Sequence, residues 1–340
     1  MYFIDTHAHI DMLKGLTPQE AVVKSENEGV KYIINVGSSL DGSKKSIEFA
    51  RKFSNVFASV GVHPHNVRSF GKKEIKILQL LIQGYSGTVN ENLTTPHASM
   101  RGILHPHGLG FLLRGRDQRL NSTGLTSHLS DGIQKVYHKQ RQMPREKRLI
   151  SSLLKQEALR RYLVSERYKK VVAVGETGFD FYRNLSPRID MERAFVSHIE
   201  LAIKYDIPVI IHDRDAHKQT LEVVKKYIDQ KNFRAVVHCF SGDVNFAMQC
   251  LDLGLYISFT GVITFPNARD ILKAVEKVPV ERLFIETDAP FLAPQAKRGK
   301  ENYPGYVRYV AEKIAEIKNL SVEEVADITS KNAERFFSIN

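Results

Sequence analysis

The sequence predicts an α/β fold, a TIM-type (β/α)8 barrel with an insertion in the connection between strands 3 and 4. Three observations carry that expectation. Apolar runs of strand length occur eight times, they alternate with amphipathic stretches at helical spacing, and His or acidic residues stand at the ends of five of them. Alternating strands and helices build a parallel sheet. Eight such units close into a barrel that carries its chemistry at the C-terminal ends of the strands.

The strands are expected near Tyr2–Thr6, Tyr32–Val36, Val56–Val60, Val171–Gly175, Val209–His212, Ala235–His238, Tyr256–Thr260 and Leu283–Thr287. Helical spacing marks Pro18–Glu28, Ser43–Phe53, Lys72–Gln83, Ser151–Tyr168, Pro187–Tyr205, Ala216–Ile228 and Asn267–Val278, followed by Tyr306–Ile317 and Ser321–Phe336. Thr17-Pro18 and Ser186-Pro187 each offer an N-cap followed by a first-turn proline. Ser321-Val322-Glu323-Glu324 has the form of a capping box.

One connection breaks the rhythm. More than one hundred residues separate the third strand from Val171, far beyond what a strand–helix link needs. Residues from about 84 to 150 lack periodicity, and 86–150 hold ten Lys/Arg against four Asp/Glu. They are expected to be a basic, Gly/Ser/His-rich insertion, disordered in part or whole, within a single 1–340 barrel domain.

Composition narrows the classes. Hydrophobic residues are 42% and charged residues 26% of the chain, which suits a globular protein with a sizeable core. No run of 18 apolar residues exists, so no membrane span is expected. Cys239 and Cys250 are too few for a disulfide framework and suit a reducing compartment. With the first strand beginning at Tyr2, no room is left for a signal peptide, and a cytoplasmic protein is expected. The net charge of +11 favours polyanionic partners, because neutralised phosphates release counterions.

The strand ends spell a metal site. His7 and His9, two apart on an extended end, share a face and can point at one ion. Glu176 follows an apolar run and lies between Gly175 and Thr177-Gly178. A carboxylate there can bridge two ions, and the glycines permit close backbone approach. His212 and His238 each end an apolar run where a core residue would be expected. Asp288 would ligate an ion and accept the proton of an attacking water, with Glu286 deeper on the same face in a supporting role. Imidazole and carboxylate ligands suit Zn, Mn, Mg or Fe.

Around these lie candidates for phosphate. His63 and His65, in Gly61-Val62-His63-Pro64-His65, would contact phosphate or orient substrate, or else serve only their loop. Arg183 and Arg214 offer forked donors, although Arg214 pairs equally well with Asp213 or Asp215. His105-Pro106-His107 follows no strand and reads as incidental. The cationic stretches Arg114–Arg119 and Lys135–Arg148 read as solvated faces or as contacts to nucleic acid.

Taken in order, IDTHAHID, NVGSSLDGSKKSIEFA, SVGVHPHNV, AVGETGFDFYR, PVIIHDRDAH, VVHCFSGD and FIETDAPFLAPQAKRGKENYPGYV resemble a TatD-family metal-dependent deoxyribonuclease of the amidohydrolase-like superfamily. The resemblance covers residues 1–83 and about 151–340. It implies a binuclear site of two divalent ions, Mg, Mn or Zn, held by His7, His9, Glu176, His212, His238 and Asp288, with His63 and His65 beside the scissile phosphate. In related amidohydrolases a modified lysine often bridges the ions; Glu176 stands in that place here. The insertion and Asn302-Tyr303-Pro304, where Asn-Glu-Pro is usual, depart from the pattern. The expected function is a 3′→5′ DNase on single-stranded or frayed ends. Two other expectations compete with it: an ester or amide hydrolase such as a D-aminoacyl-tRNA deacylase, and a non-catalytic nucleic-acid binder. The oligomeric state is not legible.

Overall fold

The computed structural model describes residues 1–84 and 170–339. Apart from Gly84 the expected insertion lies outside them, as do His105-Pro106-His107, both cationic stretches and the helix expected over Ser151–Tyr168.

Eight strands form one sheet in chain order, and every neighbouring pair is parallel. They are β1 (Phe3–Ala8), β2 (Val30–Val36), β3 (Val56–Val60), β4 (Val171–Asp180), β5 (Val209–Arg214), β6 (Ala235–His238), β7 (Tyr256–Phe259) and β8 (Leu283–Ile285). The sheet closes just past β8. There the Asp288 amide donates to the His7 carbonyl (2.9 Å) and the His9 amide to the Ala289 carbonyl (2.7 Å). The expected barrel is therefore present, and its closing seam runs beside the candidate ligands.

Among the described residues the helices are α1 (Pro18–Asn27), α2 (Leu40–Lys52), α3 (Lys72–Ile82), α4 (Arg188–Tyr205), α5 (His217–Val224), α6 (Val244–Asp252), α7 (Arg269–Lys277), α8 (Val307–Lys318) and α9 (Val322–Phe337). None is long and apolar enough to cross a membrane. Thr17 and Ser321 form capping boxes with Glu20 and Glu324. Two local expectations fail, and one helix was not anticipated. Helix α2 starts before Ser43 because the Ser39 hydroxyl accepts the Gly42 amide. Ser186 caps nothing: α4 opens after Pro187, and the Ser186 hydroxyl donates to the His65 carbonyl instead (2.9 Å). Helix α6 was not anticipated, although Asp243 accepts the Phe246 amide at its start.

Strand β4 also runs five residues past its expected end, to Asp180. It stays paired with β5, since Thr177 to Asp180 face Ile211 to Arg214. Gly175 and Glu176 together oppose the single residue Ile210, a bulge that re-aims the Glu176 side chain. A side chain on Gly175 (φ 137°) would bring its Cβ within 2.6 Å of the Ile210 carbonyl, so only glycine allows this approach.

The strand pleat divides the core in two. Ile210, Val236 and Phe284 belong to one cluster, while their neighbours Ile211, Val237 and Ile285 pack into the larger one. Two residues further on, the same faces present His212, His238 and Glu286. Phe336 and Phe337 of α9 pack against Phe284, with ring centroids 5.2 and 5.6 Å away, and stop the barrel from below. Phe336→Ala is expected to cost about 3–5 kcal/mol of unfolding free energy, read as a lower denaturant midpoint.

Candidate metal centre

The structure brings His7, His9, Glu176, His212, His238 and Asp288 together at the C-terminal mouth of the barrel. From His7 Nε2 it is 3.3 Å to His9 Nε2 and 3.7 Å to both Glu176 Oε2 and Asp288 Oδ1. His9 Nε2 stands 3.5 Å from Glu176 Oε1 and 3.5 Å from Asp288 Oδ1. On the other side, Glu176 Oε2 lies 3.0 Å from His238 Nε2 and 3.7 Å from His212 Nδ1, which are 3.2 Å apart. Ligand atoms about 2.1 Å from a shared ion at tetrahedral angles stand about 3.4 Å apart. These separations bracket that value. The donor set, their spacing and their burial all fit divalent ions.

Each imidazole must present a lone pair inward, so the outer nitrogen needs a fixed partner. His9 Nδ1 donates to the Val36 carbonyl (2.8 Å), which turns Nε2 toward the centre. His212 Nε2 faces Asp180 Oδ2 (3.4 Å), which leaves Nδ1 facing in. His238 Nδ1 faces Glu286 Oε1 (3.5 Å), the deeper acid expected to play a supporting part. That acid also accepts the Cys239 amide (2.6 Å).

Asp180 is the residue that sequence reasoning passed over. Besides His212 it takes His65 Nε2 (2.7 Å) and the Arg183 amide (2.7 Å). Burial opposes its charge, yet the hydrogen bonds from His212, the Arg183 amide and His65 hold it well below the usual carboxylate range. Its signal was available: Asp180 lies four residues beyond Glu176, at even spacing along an extended chain. Asp5 was passed over too. Its carboxylate accepts the amide (2.9 Å) and hydroxyl (2.5 Å) of Thr287, tying β1 to the loop that bears Asp288.

His63 and His65 both reach this mouth. The His63 ring lies 4.4 Å from that of His212, and His63 Nδ1 accepts the His65 amide (3.1 Å). The loop before it is pinned by buried His198, whose Nε2 accepts the Val62 amide (3.1 Å). The two arginines are not gathered in. The Arg183 side chain is exposed, and the Arg214 guanidinium lies 4.4 Å from the centre of the Tyr182 ring. Arg214 pairs with neither nearby acid, since Asp213 holds His217 and Thr220 instead.

The free centre is charged in a telling way. Burial disfavours a charge on His238 and His9. Even so, Glu176 with Glu286 lifts His238 to about 10, and Asp288 with Glu176 lifts His9 to about 9. Burial and the neighbouring His238 push His7 well below its ordinary value. His7 and His238 stack face to face at 3.9 Å, a geometry that two cations would not share. At pH 7, below both raised values, His9 and His238 hold protons that an incoming ion must displace. Loading with Mn or Zn at pH 7 is therefore expected to release roughly two protons, seen by calorimetry in buffers of different ionisation heat. Apparent affinity should rise with pH from 6 toward 9. Binding without proton release would contradict this charge state. Asp180→Ala, which frees His212 and His65, is expected to weaken metal affinity about 10–100-fold in a chelator competition.

Comparison with known proteins agrees with this architecture. A family model described as TatD related DNase matches residues 4–101 and 102–338. YabD of Bacillus subtilis, an uncharacterized metal-dependent hydrolase, is 43% identical over 173 residues, 51% of this chain and 68% of its own. YcfH of Escherichia coli, likewise an uncharacterized metal-dependent hydrolase, is 43% identical over 184 residues, 54% of this chain and 68% of its own. The crystal structure of YJJV, a TatD homologue from Escherichia coli, has a TM-score of 0.69 at 21% identity. It covers 99% of this chain and 98% of its own, a likeness of fold. The break in the family match, between residues 101 and 102, falls inside the expected insertion. The chain belongs to the TatD-related DNase family.

Proposed function

We propose that this protein is a metal-dependent phosphodiesterase that removes nucleotides from the 3′ end of single-stranded or frayed DNA. One observation carries the proposal. The Glu176 carboxylate sits among all four imidazoles, with Oε1 3.5 Å from His9 and Oε2 3.0 Å from His238 and 3.7 Å from both His7 and His212. His7, His9 and Asp288, which lie together, would hold one divalent ion and His212 with His238 a second, with Glu176 between the two groups. Divalent ions held there supply Lewis acidity and positive charge beside a phosphoryl group.

The remaining work falls to the chain. The Asp288 side chain is 15% exposed against 5% for Glu176, so it is the acid that substrate water meets and the one that accepts its proton. His63 is buried and held well below its ordinary value by that burial. Its Nδ1 accepts the His65 amide, so the neutral ring keeps its proton on Nε2 and donates to a phosphoryl oxygen. Asp180 fixes the ring of His65 beside it, and Arg183 and Arg214 offer guanidinium groups to flanking phosphates. The surplus of Lys and Arg, 49 against 38 acids, favours such a polyanion. The relatives named as metal-dependent hydrolases and the DNase family description support the same reaction class, and a cytoplasmic setting suits the two free thiols.

The test is digestion of 5′-labelled single-stranded DNA with Mg, Mn or Zn, beside RNA, an aminoacyl-tRNA ester and a cyclic amide. A ladder shortening from the 3′ end is expected, abolished by chelation and restored by added metal. Asp288→Asn should lower kcat at least about 100-fold with an unchanged circular dichroism spectrum. Full turnover by the chelated protein, or hydrolysis of the tRNA ester with none of DNA, would overturn the proposal.

A further inference from the structure

Among the described residues, two aromatic rings are exposed by half or more, Tyr182 (64%) and Phe291 (51%). Single exposed apolar residues are ordinary on a protein surface, so it is the position of these two rings beside the candidate centre that matters. Both stand on segments that leave the barrel mouth. Tyr182 lies two residues after Asp180 at the end of β4, and Phe291 lies three residues after Asp288, beyond β8. In an eight-stranded barrel of sequential order, strands 4 and 8 lie across from each other. The two rings therefore flank the metal centre from opposite sides.

Their surroundings tie them to that centre. The Phe291 ring meets His9 edge to face at 6.3 Å between centroids. The loop holding Phe291 is itself fixed, because the Asn302 amide donates to the carbonyls of Thr287 (2.9 Å) and Phe291 (2.5 Å). On the far side, the Arg214 guanidinium covers one face of Tyr182 at 4.4 Å and leaves the ring otherwise open. A cation stacked on one face of a ring, with the other face open, joins a phosphate donor to a flat apolar platform.

We propose that Tyr182 and Phe291 are stacking platforms for the nucleobases on either side of the scissile phosphate. This deepens the nuclease function proposed above and rests on it. Every base has a π-face, so stacking of this kind tolerates sequence while demanding bases that have left their own stack. A base lying on Tyr182 or Phe291 cannot also sit in a duplex between its neighbours. The two rings thereby select single-stranded or frayed ends, and Arg214 holds the backbone on the Tyr182 side. They are specificity-determining residues and take no part in proton transfer.

The test compares binding of two phosphorothioate-linked octanucleotides, one of thymidines and one of abasic sugars, to the Mn-loaded protein by fluorescence anisotropy. The native protein is expected to bind the base-bearing strand at least about tenfold more tightly. Tyr182→Leu and Phe291→Leu should each reduce that ratio several-fold, and the double variant should bring it close to one. Tyr182→Phe and Phe291→Tyr, which keep a ring, should restore it, with metal content and melting temperature reporting the fold of every variant. Equal binding of both strands by the native protein, or a ratio untouched by the Leu variants, overturns the platforms even if DNA is hydrolysed. A base-dependent ratio lost in the Leu variants, with no metal-dependent cleavage of ordinary DNA, would sink the hydrolysis and leave the platforms standing.

Discussion

A single buried carboxylate, Glu176, lies within 3.7 Å of imidazole nitrogens from His7, His9, His212 and His238. Taking an ionised carboxylate out of water costs several kcal/mol unless cations and hydrogen bonds replace the lost solvent. That constraint shapes the mouth of the barrel. In the absence of metal, protons on His9 and His238 contribute compensation. Burial opposes the charge of Glu176, yet His63, the hydrogen bonds from His212 and His238, and His9 hold its carboxyl well below the usual carboxylate range. A site that must gather positive charge around one acid is built for cations, and divalent ions can replace the protons there.

The barrel supplies that geometry through ordinary means. Parallel pairing sets the C-terminal ends of β5 and β6 side by side, with His212 directly opposite His238 in register. The bulge at Gly175 and Glu176 turns the carboxylate toward the centre. The seam past β8 carries Asp288 back against His7. Below, the aromatic stack of Phe284, Phe336 and Phe337 fills the barrel, so the polar cluster rests on a packed floor. Apolar packing and polar chemistry thus share the same strands and differ only in height along them.

Two of the gathered histidines are held from outside, His9 by Val36 and His212 by Asp180, and His238 faces Glu286 at 3.5 Å. Asp180 does this for two rings at once, His212 and His65. One acid therefore links the orientations of two imidazoles at the barrel mouth. Asn302 does the corresponding work for the Asp288 loop by holding the Thr287 and Phe291 carbonyls. The neighbouring Tyr303 turns its hydroxyl to Glu28 and leaves that grip intact.

The sequence by itself determined the barrel and the identity of the six gathered residues, because strand runs and their terminal His or acid residues are local and periodic. It also determined the N-cap at Thr17 and the capping box at Ser321, whose partners lie three residues away. Where a residue could choose between local and distant partners the sequence misled, as when Ser186 turned to His65 rather than its own helix; for Arg214 it left phosphate and a neighbouring acid open, and the structure sets it on Tyr182. Only the tertiary structure decided which nitrogen His9 and His212 turn inward, how closely the imidazoles gather on Glu176, and that Phe291 lies against His9 and Tyr182 against Arg214. Those choices depend on partners far apart in the chain, such as Val36 for His9 and Asp180 for His212. A proton's position on a ring follows the partner that reaches it, and chain closure alone brings that partner near.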